Sequence, residues 1–161
     1  MEEENEFTKG DAGAEGIERV QAGSLHKGDL VMIKDHPCRV VSSSTAKTGK
    51  HGSAKCMLTG IDIFTANKYE CTFGSGDNVD APVTKRLEYT LINIEDDGFV
   101  TLMDESGEIK EDLKVPEEEW LKDVADNIKK IFNDGNKECT VIVLGALGIE
   151  KIVGCREGKD Q

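Results

Sequence analysis

Apolar residues fall in short runs through most of this chain, and one stretch only takes up helical spacing. Leu30-Val31-Met32-Ile33 reads as a strand, entered from a turn at Lys27-Gly28-Asp29. Asp35-His36-Pro37 reads as the next turn, because proline fixes φ and restricts the residue before it. Cys38 to Ser43 then enters a hairpin, and about Ala54 to Asp62 returns from it. Lys68 to Phe73 suggests a further strand after a turn at Thr65-Ala66-Asn67. Short strands separated by glycine-rich turns predict a small antiparallel barrel.

Gly74 to Asn78 and Asp80-Ala81-Pro82 read as a linker, and a second pattern starts beyond them. Leu87 to Ile94, Phe99 to Met103 and Glu108 to Leu113 read as strands, with turns at Glu95 to Gly98 and Asp104 to Gly107. Pro116 and Glu117 to Glu119 read as an acidic helix start, which suits the helix dipole. Trp120, Leu121, Val124, Ile128, Ile131 and Phe132 then repeat at helical spacing as a core face, and Gly135 is placed to end the helix. Cys139 to Ala146 is a β-branched strand, Ile149 to Val153 a weaker one, and Cys155 to Gln161 a frayed end. Three strands, a helix and two strands is the order of an OB-type barrel. The expected organisation is an acidic disordered tail over 1–16, a barrel over 17–82 and an OB-fold domain over 83–161.

Composition changes this picture little. Aromatics make up 5% of the 161 residues, so the cores must be aliphatic. Apolar runs are too short for a membrane span, and the acidic N-terminus is unlike a signal peptide. Five scattered cysteines without a C-x-x-C pair suit free thiols in a reducing cytosol and argue against a disulfide frame or zinc site. Charge changes the picture more. The net charge of −12 is uneven: −5 over residues 1–26, +3 over 27–86 and −10 over 87–161. Between residues 36 and 60 stand Arg39, Lys47, Lys50 and Lys55 and no acid. One basic projection on an acidic body suggests a focused contact with a polyanion.

The centre of that basic stretch is Lys47-Thr48-Gly49-Lys50-His51-Gly52-Ser53-Ala54-Lys55. Gly49 and Gly52 bracket Lys50 and His51 and supply the backbone freedom of a sharp reversal, so Lys50 should project from a hairpin tip. A P-loop is excluded: Ser44 stands where its first glycine is needed, and His51 where a serine or threonine should follow the lysine. His26, His36 and His51 share no metal-ligand spacing, and His26 and His36 read as ordinary turn residues. No serine or cysteine carries a histidine at a motif-like spacing. The chain does not read as an enzyme.

Thr48-Gly49-Lys50-His51-Gly52 with Ala54-Lys55, then Gly60 to Thr65 and Lys68-Tyr69-Glu70, closely resembles the hypusine-containing translation initiation factor 5A family. Gly10 to Ala14, Pro37-Cys38, Lys85-Arg86, Asp104-x-Ser106-Gly107-Glu108 and Glu111-Asp112-Leu113 extend the resemblance over essentially the whole chain. It implies a mainly β protein, with an N-terminal SH3-like barrel followed by an OB-fold barrel with one helix. It implies that Lys50 is converted to hypusine, on a loop supported by Lys47, Thr48, Gly49, His51, Gly52 and Lys55. Deoxyhypusine synthase would transfer the aminobutyl group of spermidine to the lysine amine using NAD, and deoxyhypusine hydroxylase would complete the residue. The protein itself would need no cofactor. The implied partners are the ribosome and the acceptor end of peptidyl-tRNA, and the implied role is help with peptide bond formation at stalling sequences such as proline runs, and with termination. Its place would be the cytoplasm, with the nucleus as a second compartment, and no membrane. Many members have a second histidine where Ser53 stands, so a role for that imidazole is not carried over. Two other classes fit the charge pattern: an RNA-binding adaptor independent of lysine modification, and an interaction module whose acidic OB unit binds basic partners.

Overall fold

The computed structural model describes residues 16–47 and 54–160, and the chain divides into two units, 16–83 and 84–160. Both are built of antiparallel strands, and among the described residues there is one α-helix. The acidic stretch read as a tail lies, Gly16 apart, outside the described residues.

The first unit is the SH3-like barrel. Its strands are β1 (Ile17–Gln21), β2 (Leu30–Ile33), β3 (His36–Lys47), β4 (Ala54–Asp62), β5 (Lys68–Gly74) and β6 (Asn78–Pro82). The sheet runs β2-β3-β4-β5, while β1 pairs with β6, and β6 also lies beside β2. Ala22, Leu25, Val31, Ile33, Cys38, Val40, Cys56, Leu58 and Val79 form its core.

Three expectations change here. The turn read at Asp35-His36-Pro37 is one step earlier: Lys34 and Asp35 both take positive φ (51° and 68°), as tight two-residue hairpin loops do. His36 and Pro37 are already strand, opposite Ile33 and Met32. The Pro37 carbonyl still accepts the Ile63 N–H (2.9 Å), so proline removes a donor and keeps an acceptor. The linker read at Asp80-Ala81-Pro82 is strand β6, because Val79 and Ala81 bury their side chains against the barrel. Ile17–Gln21, which the sequence pattern left unassigned, becomes strand by pairing with it from Ile17↔Pro82 to Gln21↔Asn78.

The second unit is the OB fold. Strands β7 (Thr84–Ile94), β8 (Phe99–Met103) and β9 (Ile109–Lys114) are followed by helix α1 (Lys122–Asp134), then β10 (Lys137–Ala146) and β11 (Ile149–Asp160). The sheet order β11-β10-β7-β8-β9 closes where β9 meets β11, with Lys110 Nζ 2.7 Å from a Glu150 carboxylate oxygen. Leu91, Val100, Leu102, Ile128, Val141, Val143 and Ile152 are central to its core.

The helix starts later than its acidic residues suggest. Glu119–Leu121 form a short 3-10 turn, and only then does α1 begin. Leu121 and Ile128 are buried, with Val124, Ile131 and Phe132 packed on the core, but Trp120 is 42% exposed and is no part of the buried face. Gly135 ends the helix at φ 75°, donating its N–H to the Ile131 carbonyl. The carboxyl end is not frayed. β11 runs to Asp160 and pairs with β10 as far as Lys137↔Asp160, the alternation being interrupted by register shifts rather than ended.

Candidate functional site

The hairpin β3–β4 is the longest paired feature of the first unit, and its far end is where the basic motif falls. Its register runs from Cys38↔Asp62 to Lys47↔Ala54, with a bulge at Val41 between the pairs Val40↔Gly60 and Ser42↔Thr59. The hairpin belongs to the core at its base through Cys38 and Val40, and further out through Leu58 and Cys56 on β4, all four being buried. Beyond the bulge, residues 41–46 of β3 are exposed on both faces. β4 is instead backed by β5, from Ile61↔Lys68 out to Lys55↔Gly74. Cys56, opposite Thr45, is still buried in the core of the unit, so at roughly 3.3 Å per residue the paired end at Lys47↔Ala54 lies about 7 Å beyond the core.

Close packing fixes the root of this arm. A Cβ on Gly60 would lie 2.8 Å from the Cys38 Cβ and 2.9 Å from the Ile33 Cδ1, so only glycine lets β4 cross here. Asp62 ends β4 with its side chain 4% exposed. Its Oδ1 accepts the N–H groups of Phe64 (2.7 Å) and Thr65 (3.0 Å), and its Oδ2 lies 3.2 Å from Nδ1 of His36. The His36 ring stacks on Tyr69, centroids 4.1 Å apart. His36 is therefore a joint between β3, the turn after β4 and β5, not the plain turn residue its neighbours suggest. Burial, and after it the Asp62 charge, pushes the Cys38 thiol up to about 11, so Cys38 stays a neutral core residue.

Of the residues singled out in the sequence, Lys47 and Lys55 are placed by this hairpin. Lys47 is the last residue of β3, opposite Ala54, and Lys55 is exposed on β4, opposite Ala46. Thr48, Gly49, Lys50, His51 and Gly52 lie outside the described residues, as does Ser53. Arg39, counted among the basic residues, points its guanidinium at the Gly28 carbonyl (3.1 Å) near the root of the arm. In the sequence Asp62 and Tyr69 stand out only as members of the motif. Their role could have been sought in the Asx-turn signal, an aspartate just before a reversal.

A family model described as "Translation initiation factor 5A-like, N-terminal" matches residues 17–76. A second, described as "Eukaryotic elongation factor 5A hypusine, DNA-binding OB fold", matches residues 83–156. The chain belongs to the translation initiation factor 5A family. It is 44% identical over 151 residues to eukaryotic translation initiation factor 5A-1 of Arabidopsis thaliana, covering 94% of this chain and 93% of that one. It is 42% identical over 154 residues to the factor of Spodoptera exigua, covering 96% and 93%. Among solved structures, a family member of Naegleria fowleri superposes with a TM-score of 0.80 at 45% identity, over 87% of this chain and 98% of that one. The factor of Methanococcus jannaschii gives 0.66 at 31% identity, over 88% and 96%. Membership makes the hairpin end the candidate site, since the motif that carried the resemblance sits there. Among the described residues no helix is long and apolar enough to cross a membrane, and no cluster of His, Cys, Asp or Glu is arranged to hold a metal ion.

Proposed function

We propose that this chain is a translation factor that binds the ribosome and acts through a hypusine made at Lys50. The modified side chain reaches the acceptor end of peptidyl-tRNA and promotes peptide bond formation at stalling sequences such as proline runs, and termination. The observation that carries the reading is the arm itself: β3 and β4 stay paired to Lys47↔Ala54 and leave only residues 48–53 to make the end. That end holds Lys50, and no acid lies between residues 36 and 60 to neutralise it.

The chemistry fits the placement. A lysine amine must lose its proton to act as a nucleophile, so it must be accessible to an enzyme that desolvates it. Deoxyhypusine synthase then forms the bond from the Lys50 nitrogen to the aminobutyl carbon of spermidine, and deoxyhypusine hydroxylase completes the group. The product is longer and has a second amine, giving cationic reach into a phosphate-rich cleft. The catalytic work stays with the ribosome, the factor contributing the position of a tRNA end.

Lys50→Arg separates this reading from an RNA-binding adaptor. Arginine keeps the charge but stays protonated, so it cannot accept the aminobutyl group. Wild-type and variant proteins, each treated with the modifying enzymes, are supplied to ribosomes translating a proline-run reporter. Rescue by the wild type alone is expected, together with a mass increase localised to Lys50. Equal rescue by both would establish the adaptor instead.

A further inference from the structure

Two of the five cysteines meet. Cys139 on β10 and Cys155 on β11 stand diagonally on the same face of the pair, where Cys139 opposes Glu157 and Val141 opposes Cys155. Cys139 is 2% exposed, inside the core of the second unit, and Cys155 packs on that core from its edge. The two thiols are close enough to perturb one another, and the Cys155 thiol donates a hydrogen bond to the Val124 carbonyl of α1 (3.8 Å). Cys155 also lines a surface cleft of about 280 Å³, together with Lys130, Ile131, Asp134, Arg156 and Glu157. One thiol is thus reachable from solvent, and the other waits behind it.

We propose that Cys139 and Cys155 form a peroxide-responsive thiol pair, in which Cys155 is the attacking sulfur and Cys139 the resolving one. The Cys155 thiolate attacks a peroxide oxygen, the O–O bond breaks, and a proton completes the departing water (for hydrogen peroxide), leaving a sulfenic acid on Cys155. The Cys139 sulfur then attacks the Cys155 sulfur as its own proton passes to the leaving hydroxyl. One disulfide and a second water result, the two thiols having given two electrons to the peroxide.

The two sulfurs differ in the needed sense. The neighbouring Cys139 thiol lowers the Cys155 pKa, against the opposing effect of burial, and the pair together with burial raises that of Cys139. A lowered pKa enlarges the thiolate fraction, which is the reactive form. Cys71, also half-buried, is pushed the other way by burial, and Cys38 and Cys56 lie inside the core. Diagonal positions lie roughly 7–8 Å apart at Cα, slightly beyond the span of a relaxed disulfide. Closure therefore draws β11 inward. Gly154 precedes Cys155, and Gly158 lies beside the register shift between Lys137 and Cys139, so the backbone has the freedom to follow.

The full chain, reduced and then treated with about one equivalent of hydrogen peroxide, is digested without reductant and mapped by mass spectrometry. The expected product is a Cys139 peptide joined to a Cys155 peptide within one molecule, two hydrogens lighter than the pair and separated again by dithiothreitol. Cys139→Ser should leave Cys155 as a sulfenic acid trapped by dimedone. Alkylation of wild-type Cys155 by iodoacetamide should level off at a lower pH than that of Cys71. These wild-type measurements decide the matter even if Cys139→Ser fails to fold. Oxidation that falls first on Cys71, or a Cys155 oxidised beyond sulfenic acid beside an intact Cys139 thiol, would overturn the proposal, as would a disulfide only between molecules.

Discussion

Asp62 shows how much one buried carboxylate can hold. It accepts the N–H groups of Phe64 and Thr65, and its second oxygen meets His36. Asp62→Ala would strand both N–H groups in a closed turn, at about 1–3 kcal/mol each when water cannot reach them. Chemical denaturation should therefore show a loss of several kcal/mol, and a change below about 0.5 kcal/mol would remove Asp62 from the architecture of the arm. Gly60→Ala acts at the same root by a different mechanism. Its new methyl group would meet Cys38 and Ile33, and overpacking of this kind costs about 1–3 kcal/mol. Asp104 gives a titration to follow. Hydrogen bonds from Ser106 first, and then from the Glu108 N–H, hold its carboxyl below the ordinary aspartate range. A depressed carboxyl contributes stability above its unfolded pKa and loses it as pH falls through the lower folded value. Ser106→Ala should move the Asp104 titration seen by NMR up toward 3.8, the ordinary value.

At the scale of elements, the β3 side of the arm depends on pairing, while its β4 side is anchored by buried Leu58 and Cys56. Residues 41–46 of β3 are exposed on both faces, so their order rests on the ladder to β4. Thr45 pairs with Cys56, and Thr45→Pro removes a backbone donor and forces φ in the middle of the arm. The expected outcome is a fall in Lys50 modification by deoxyhypusine synthase while the first unit keeps its cooperative unfolding. Undiminished modification would mean that the enzyme reads the loop without its stem. β11 makes the opposite case. Its final residues pair with Lys137 and with Cys139 to Val141, and they cover Cys139 in the core. Truncation after Gly154 should lower the thermal midpoint of the second unit by more than about 5 °C, a shift of the size that 1 kcal/mol produces in a domain this small.

For the whole molecule, charge decides what can approach. The first unit, residues 16–83, is nearly neutral at +1 and the second, 84–160, carries −8, so a polyanion is drawn to the acid-free basic stretch 36–60 of the first unit and repelled by the second. The basic contact is small. Ribosome affinity should fall with added salt, with a slope of about 2–4 in log Kd against log salt, as a few phosphate contacts would give. Binding indifferent to salt would remove the basic arm from the interface.

The sequence by itself determined the mainly β character, the strand–helix order of the second unit, Gly135 as the helix stop and the identity of the lysine motif. Local chemistry decides these: short apolar runs such as Leu30 to Ile33, helical spacing from Val124 to Phe132, a left-handed residue where only glycine is comfortable. What the tertiary structure decided was every feature whose partner is far along the chain. Asp80-Ala81-Pro82 reads as linker until Ile17–Gln21, some sixty residues earlier, supplies its ladder. Cys155 to Asp160 reads as a frayed end until β10 supplies the other half. Trp120 reads as core by spacing alone, but a 3-10 turn sets it out of phase with α1. His36 and Asp62 are 26 residues apart, and Cys139 and Cys155 meet only because two strands fold back in register. Backbone hydrogen bonds and buried contacts are satisfied across space, and no local pattern states in advance which distant segment will satisfy them.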